Sequence, residues 1–281
     1  MKPATTGDHW FWWGAGSVCA GYVALLAGMV LADAAFVFQA PTHADADARA
    51  NANADEDGVF AALAEPSLRR SIHLTLVSCG ITTILSLGVA IPIGYLLSRS
   101  RFPGKAVVEG VVDGPVVLPP LAVGLSLLLL FQWLPDWLSG AVVYRAPAVI
   151  LAQFVVASAL AIRTMRAAYD QVDDRLERVA WTLGASRYQS FSRVVIPEVR
   201  PGIATAGAVA WARSLGEFGP LLVFAGATRG KTEVLATTVF LELSVGRLRS
   251  AAAISLLMIA AAATVLTVAR RLGRRESLGS V

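Results

Sequence analysis

The chain has 281 residues, of which 56% are apolar and only 16% charged, with a formal net charge of +4 and a mean hydropathy of +0.61. The apolar excess is larger than one soluble core can bury and is gathered into long runs, so the chain reads as an all-α polytopic membrane protein. Cys19 and Cys79 both lie inside apolar runs and His9, His43 and His73 are scattered, which excludes a disulfide scaffold and a Cys- or His-rich metal site. The basic residues fall between apolar runs instead of forming one patch, which excludes a nucleic-acid binder.

Six runs are long enough to cross a bilayer as helices: 14–38, 72–97, 115–134, 146–162, 203–224 and 251–269. The first reads as a retained helix, because its apolar stretch is longer than a signal-peptide core and only Lys2 precedes it as a basic residue. Counting lysine and arginine on alternate sides of six spans gives 15 on the side of both termini against 8 on the other, so both termini are expected in the cytoplasm. The outer segment 41–58 alternates alanine with Asp45, Asp47, Arg49, Asn51 and Asn53. Alanine, aspartate and asparagine are poor strand formers and offer no apolar face, so this reads as a solvated acidic loop. Arg270, Arg271, Arg274 and Arg275 make the tail a positive-inside anchor at lipid headgroups.

Between the fourth and fifth runs, Met165, Tyr169, Val172, Leu176, Val179 and Leu183 recur at helical spacing with charged residues between them. That predicts an amphipathic helix, or two with a bend. Gly184 follows the last periodic position, where glycine can end a helix in the left-handed conformation. A second short segment runs through Tyr188 and Phe191 to Pro197, which cannot continue a helix by hydrogen bonding. Such an element is either a connector packed on its own bundle or a docking knob for a cytoplasmic partner.

At these residues the sequence resembles the ATP-binding-cassette (ABC) importer permeases, whose loop carries Glu-Ala-Ala, three residues, Gly, nine residues and Ile-x-Leu-Pro. Here Arg178-Val179-Ala180, Gly184 followed by Ala185, and Val194-Val195-Ile196-Pro197 keep that spacing. Arg178 replaces the signature glutamate, and Glu177 stands immediately before it. The resemblance covers 68–269. Arg101-Phe102-Pro103-Gly104-Lys105, Pro115-Val116-Val117-Leu118-Pro119-Pro120 with Gly124, and Leu215-Gly216-Glu217-Phe218-Gly219 are similar to the molybdate, tungstate and sulfate branch.

The resemblance implies a type I ABC importer permease fold and a homodimer around one path. It also implies two cytoplasmic ABC ATPase subunits docked on 163–202 and an external substrate-binding protein. The chain would need no cofactor of its own, with ATP and Mg on the partner ATPase. The expected organisation is an N-terminal helix with its acidic extracytoplasmic loop at 1–67, a five-helix core at 68–269 and the tail at 270–281. Glu177, Arg178, Val179, Ala180, Gly184, Ala185 and Pro197 are the expected coupling residues.

Arg213 and Glu217 fall four residues apart within the fifth run, on one helix face. A charge at bilayer depth costs about 2.5–3.5 kcal/mol on insertion scales, so such residues face protein or water. Arg213 either offsets dehydration of a passing anion or forms an internal ion pair with Glu217. Gly216 and Gly219 permit close approach or a local opening, and Phe218 is a candidate hydrophobic gate. Pro119 and Pro120 interrupt the third run and either shape a path or form a packed kink. The segment 225–232 nearly matches a phosphate-binding loop but lacks its first glycine, follows a membrane helix and lies on the outer side. Residues 233–243 then read as a short helix, placed either under a docked binding protein or at the lipid interface.

Two other classes compete with an ATP-driven importer. An ion-gradient-driven secondary anion transporter needs a coupling-ion site and usually a repeat, whereas Asp33, Arg213 and Glu217 make a thin set of membrane charges. A membrane hydrolase needs a catalytic set that the sequence does not display.

Overall fold

The computed structural model describes residues 8–38 and 66–277, with side chains over 16–37 and 66–268. The acidic loop at 41–58 and the arginine side chains of the tail lie outside the described residues. Helices α1 (Asp8–Phe38), α2 (Pro66–Arg99), α3 (Lys105–Val117), α4 (Pro120–Gln132), α5 (Asp136–Val142) and α6 (Ala146–Asp170) form the first half. A segment of α7 (Asp174–Thr182), α8 (Arg187–Ser190), a π-turn at Phe191–Val195 and α9 (Ile196–Glu198) follows. Then come α10 (Arg200–Leu215), a second π-turn at Leu221–Ala225, α11 (Leu235–Ser244) and α12 (Leu248–Ser277). No strand occurs among the described residues.

Helices Gly16–Val37, Pro66–Arg99, Ala146–Asp170 and Leu248–Val268 are each long and apolar enough to cross a bilayer, and α3 with α4 forms a pair bent by 113°. Two of the six expected runs are therefore not single helices. In the third, Leu118 precedes Pro119 and is held extended (φ −68°, ψ 145°), so α3 stops there and Pro120 opens α4. The helix α3 starts ten residues before the expected run and carries Glu109 and Asp113. In the fifth, Gly216 closes α10, and helical backbone resumes at Gly219 and Pro220 and runs on into the π-turn.

Lipid is as apolar as leucine, so oil-and-water sorting cannot decide which face of a helix turns inward; small size and hydrogen bonding do. The inner face of α2 is Ser71, Thr75, Ser78, Cys79, Thr82, Ser86, Ala90 and Gly94, all buried, while Leu76, Ile81, Ile84 and Leu85 are exposed. Several hydroxyls are satisfied within the helix, as where Thr75 donates to the Ser71 carbonyl at 2.6 Å and Thr83 to that of Cys79 at 2.7 Å. Thr82 instead reaches across to α6, and the Ser86 hydroxyl has no hydrogen-bond partner among the described residues. With its small face inward, α2 packs along α6, whose Val149, Ala152, Val156, Ala157 and Ala161 are buried. Helix α10 completes this core against both, and α12 closes it from the other side of α10. Helix α1 packs on α12 and presents Val18, Leu25 and Met29 outward.

Candidate functional site

The two interrupted runs meet. A side chain on Gly219 would put its Cβ 2.6 Å from Cβ of Pro120, and one on Gly124 would lie 2.8 Å from Cα of Pro220. Each elbow thus presents a glycine to the other's proline, and only a hydrogen at these positions lets the backbones touch. Below the crossing, Phe131 of α4 packs on Phe224 of the second π-turn with ring centroids 5.1 Å apart. Pro119, Pro120, Gly216, Glu217, Phe218 and Gly219, distant in sequence, are brought into one region.

Within the break, the Arg213 guanidinium comes to 2.6 Å from Oε2 of Glu217. Its N–H bonds do not point at that oxygen, which lacks a hydrogen bond, so the contact is a charge pair. Glu217 is 1% exposed, whereas the Arg213 side chain is 31% exposed and keeps one face open. The two readings of Arg213 are compatible: it neutralises a buried carboxylate and still reaches the space beside the break. Phe218 is half-buried and packs on Phe240 of α11 with centroids 5.1 Å apart.

The segment after α6 forms a separate knob. Asp173 caps α7 by accepting from the Arg175 amide at 2.9 Å, so the periodic stripe divides at the bend. Met165, Tyr169 and Val172 lie in the core, while Leu176, Val179 and Leu183 are exposed, the last at 82%. At the far end the Ala185 amide donates to the Ala180 carbonyl and the Gly184 amide to that of Trp181. Gly184 has φ +85°, so this is the paired-bond helix stop that favours glycine. Ser186 and Gln189 then form a reciprocal cap on α8, and Pro197 opens the single turn of α9.

Glu177 is the only buried residue of α7. It accepts from the Tyr95 hydroxyl at 2.7 Å and from Arg99 Nε at 3.1 Å, both on α2. Arg99 also pairs with Asp174 and donates to the Val172 carbonyl. Glu177 therefore fastens the knob to the bundle, and Arg178, Val179, Gly184 and Pro197 occupy its exposed side, with Ala180 and Ala185 partly covered.

Other residues in these regions carry no motif. Gln153 on α6 is 1% exposed and bonds to Thr82 of α2 and to the Ser214 carbonyl of α10. A lone glutamine in an apolar run is a sequence signal for such a contact, although it does not name the partner. Glu109 and Asp113 of α3 pair with Arg166 and Arg163 of α6, so α3, which buries no residue, is held by charges at this edge. The segment resembling a phosphate-binding loop is a turn in which the Thr232 hydroxyl donates to the Gly226 carbonyl at 2.5 Å, ahead of α11. Arg229 reaches from this turn to Glu242 of α11 at 2.7 Å.

Comparison with known proteins agrees with this architecture. Residues 90–276 match the family described as "Binding-protein-dependent transport system inner membrane component". The sulfate transport system permease protein CysT of Escherichia coli strain K12 is 31% identical over 223 residues, covering 76% of this chain and 80% of that protein. The molybdenum transport system permease protein ModB of the same strain is 33% identical over 220 residues, covering 75% and 96%. Among solved structures, a bacterial alginate ABC transporter in complex with an alginate pentasaccharide-bound periplasmic protein superposes with a TM-score of 0.61 at 19% identity, covering 94% of this chain and 97% of that one. The chain belongs to the binding-protein-dependent transport system inner membrane components, as a multi-pass permease subunit of an ABC importer whose ATP is hydrolysed by a separate ATPase.

Proposed function

We propose that the chain is one half of a homodimeric permease that imports a tetrahedral oxyanion, molybdate or tungstate ahead of sulfate. The knob of α7 to α9 would dock an ABC ATPase carrying ATP and Mg, and a substrate-binding protein would deliver the anion to the opposite face. The observation that carries this reading is the form of the knob. One buried carboxylate ties α7 to the bundle and leaves Leu176, Val179 and Leu183 exposed on a capped helix, an apolar face that calls for a partner.

The oxyanion is supported by the sulfate and molybdenum permease relatives, which match three quarters of the chain. Six crossings with both termini in the cytoplasm are supported by the lysine and arginine bias; four helices and the bent α3–α4 pair account for up to five of them, and the elbowed run at 203–224 would be the sixth. In the mechanism, closure of two ATPases on ATP draws the two knobs together and opens the path outward, and hydrolysis resets it inward. Arg213, Gly216, Glu217, Phe218, Gly219, Pro119 and Pro120 would line or gate that path. Arg213 supplies positive charge, and the two elbows supply backbone able to reshape without disrupting an intact helix.

The test is gentle purification from native membranes, followed by reconstitution. Co-purification of an ABC ATPase at one per permease, with ATP-dependent uptake of molybdate, tungstate or sulfate in liposomes, is the expected result. A chain that purifies alone and moves an anion on an ion gradient without ATP refutes the proposal in favour of a secondary transporter.

A further inference from the structure

The break after α10 leaves carbonyls that an uninterrupted helix would satisfy. In a continuous α-helix the Ser214 carbonyl accepts from the amide of Phe218, four residues on. Here it accepts instead from the Glu217 amide at 3.2 Å, three residues on, and from Nε2 of Gln153 at 3.2 Å. An unsatisfied carbonyl in the hydrocarbon region is costly, so an outside donor at this point changes which backbone is stable. The orientation of the glutamine amide follows from its partners. A carbonyl can only accept, so nitrogen faces Ser214, and Oε1 faces the Thr82 hydroxyl at 3.2 Å, whose single proton it shares with the Ile150 carbonyl at 3.3 Å. The same nitrogen lies 3.8 Å from Sγ of Cys79, and Gln153 is 1% exposed.

We infer that Gln153 is a positioning residue for transport: it stands in for the Phe218 amide on the Ser214 carbonyl and so holds the fifth span broken between Arg213 and Phe218. One side chain on α6, steadied from α2, sets the end of α10 and thereby the placement of Arg213, Glu217 and Phe218. The inference adds to the proposed function and rests on it for the transport readout alone.

The experiment is hydrogen exchange by mass spectrometry on the assembled complex in lipid nanodiscs, comparing the parent with Gln153→Met. Methionine keeps the length of the side chain and removes the donor. The Phe218 amide then regains the Ser214 carbonyl, and peptides over 214–220 exchange at least tenfold more slowly, while α2 and α6 stay within twofold of the parent. Anion transported per ATP hydrolysed falls at least tenfold. Faster exchange across α2, α6 and α10 together would assign Gln153 to core packing and overturn the inference, as would unchanged exchange over 214–220 or transport per ATP within twofold of the parent. Gln153→Leu serves if the methionine variant does not assemble, because it also fills the site with an apolar side chain and removes the donor to the Ser214 carbonyl. The same slowing and loss of coupling is expected, and parent-like behaviour overturns the inference. A parent that moves none of the three oxyanions would refute the substrate reading and leave the exchange result standing.

Discussion

Replacing Glu177 with leucine should release α7 from α2 while leaving the exposed side of the knob chemically unchanged. Its carboxylate is 4% exposed and accepts from Tyr95 and Arg99 at 2.7 and 3.1 Å. Hydrogen bonds to a charged group contribute about 1.5–3 kcal/mol each, so the pair is worth about 3–6 kcal/mol before compensation. Compensation is substantial, because Arg99 retains Asp174 and the Val172 carbonyl and the freed Tyr95 hydroxyl can hydrate at the membrane edge. A net loss of about 2–3 kcal/mol raises the local opening of α7 by about 30- to 150-fold, at about 1.4 kcal/mol per tenfold. The assay is hydrogen exchange over 174–185 in the purified chain, where that factor should appear as faster exchange confined to the knob. Glu177→Gln keeps an acceptor in place and should give about a tenth of that acceleration, since neutral acceptors bind about half as strongly. An acceleration below threefold for the leucine variant, or an equal one throughout α2 and α6, would refute the assignment of Glu177 as the fastening of the knob.

Gly219→Ala should force the elbows apart, because the new Cβ would lie 2.6 Å from Cβ of Pro120 and 3.1 Å from its carbonyl carbon. Thermal unfolding should register the overpacking as a loss of about 1–3 kcal/mol, while Gly88→Ala, with nothing within 4 Å of its Cβ, should be neutral. Arg213→Ala should strand the 1%-exposed Glu217 carboxylate and cost about 3–5 kcal/mol, the usual penalty for removing one partner of a buried pair. Adding Glu217→Gln should restore expression and thermal stability but leave uptake at least tenfold low; parent-like uptake by the double variant would reduce the pair to a structural tie. Gly184→Ala puts a side chain at φ +85°, a strain of about 1–2 kcal/mol. It should lower ATP-driven uptake severalfold with the permease folded and still bound to its ATPase, and unchanged uptake would remove the helix stop from the coupling path.

The spans were legible because about twenty apolar residues have few other uses, and the knob was legible because its period, glycine stop and proline recur at fixed spacing. Their interruptions were only half legible. Pro119 and Pro120 announce a break, yet the 113° bend depends on the elbow that α4 crosses, which is 100 residues away in sequence. The expected third run starts at 115 because Glu109 to Asp113 is not an apolar stretch, whereas α3 begins at Lys105 and its Glu109 and Asp113 face Arg166 and Arg163 across a helix pair. The stripe from Met165 to Leu183 was continuous in period and is discontinuous in space, since Asp173 caps a new helix and turns its second half outward. Glu177 shows the same limit: the family resemblance makes it an expected coupling residue, and only the positions of Tyr95 and Arg99 reveal that its carboxylate faces the bundle.

These contacts also explain how a long apolar helix can serve both regions at once. Near its C-terminal end α2 carries Tyr95 and Arg99, which hold the knob, and farther along it carries Thr82 and Cys79, which contact Gln153 beside the break. Thirteen residues separate Thr82 from Tyr95, about 20 Å at 1.5 Å per residue, and Pro92 lies between them inside the helix. Proline removes a backbone hydrogen bond there and is a usual site of kinking, so the end that holds the knob and the middle that holds Gln153 are joined through a point where the helix can bend without melting. From Ser71 to Gly94 the inward face of α2 is small and hydroxylated, with Leu68 and Leu97 buried at its two ends. Small residues there allow close approach of α6: a Cβ on Gly94 would lie 2.8 Å from Cβ of Met165. The pattern that sorts this helix into the bundle therefore also sets how closely its neighbours pack on it.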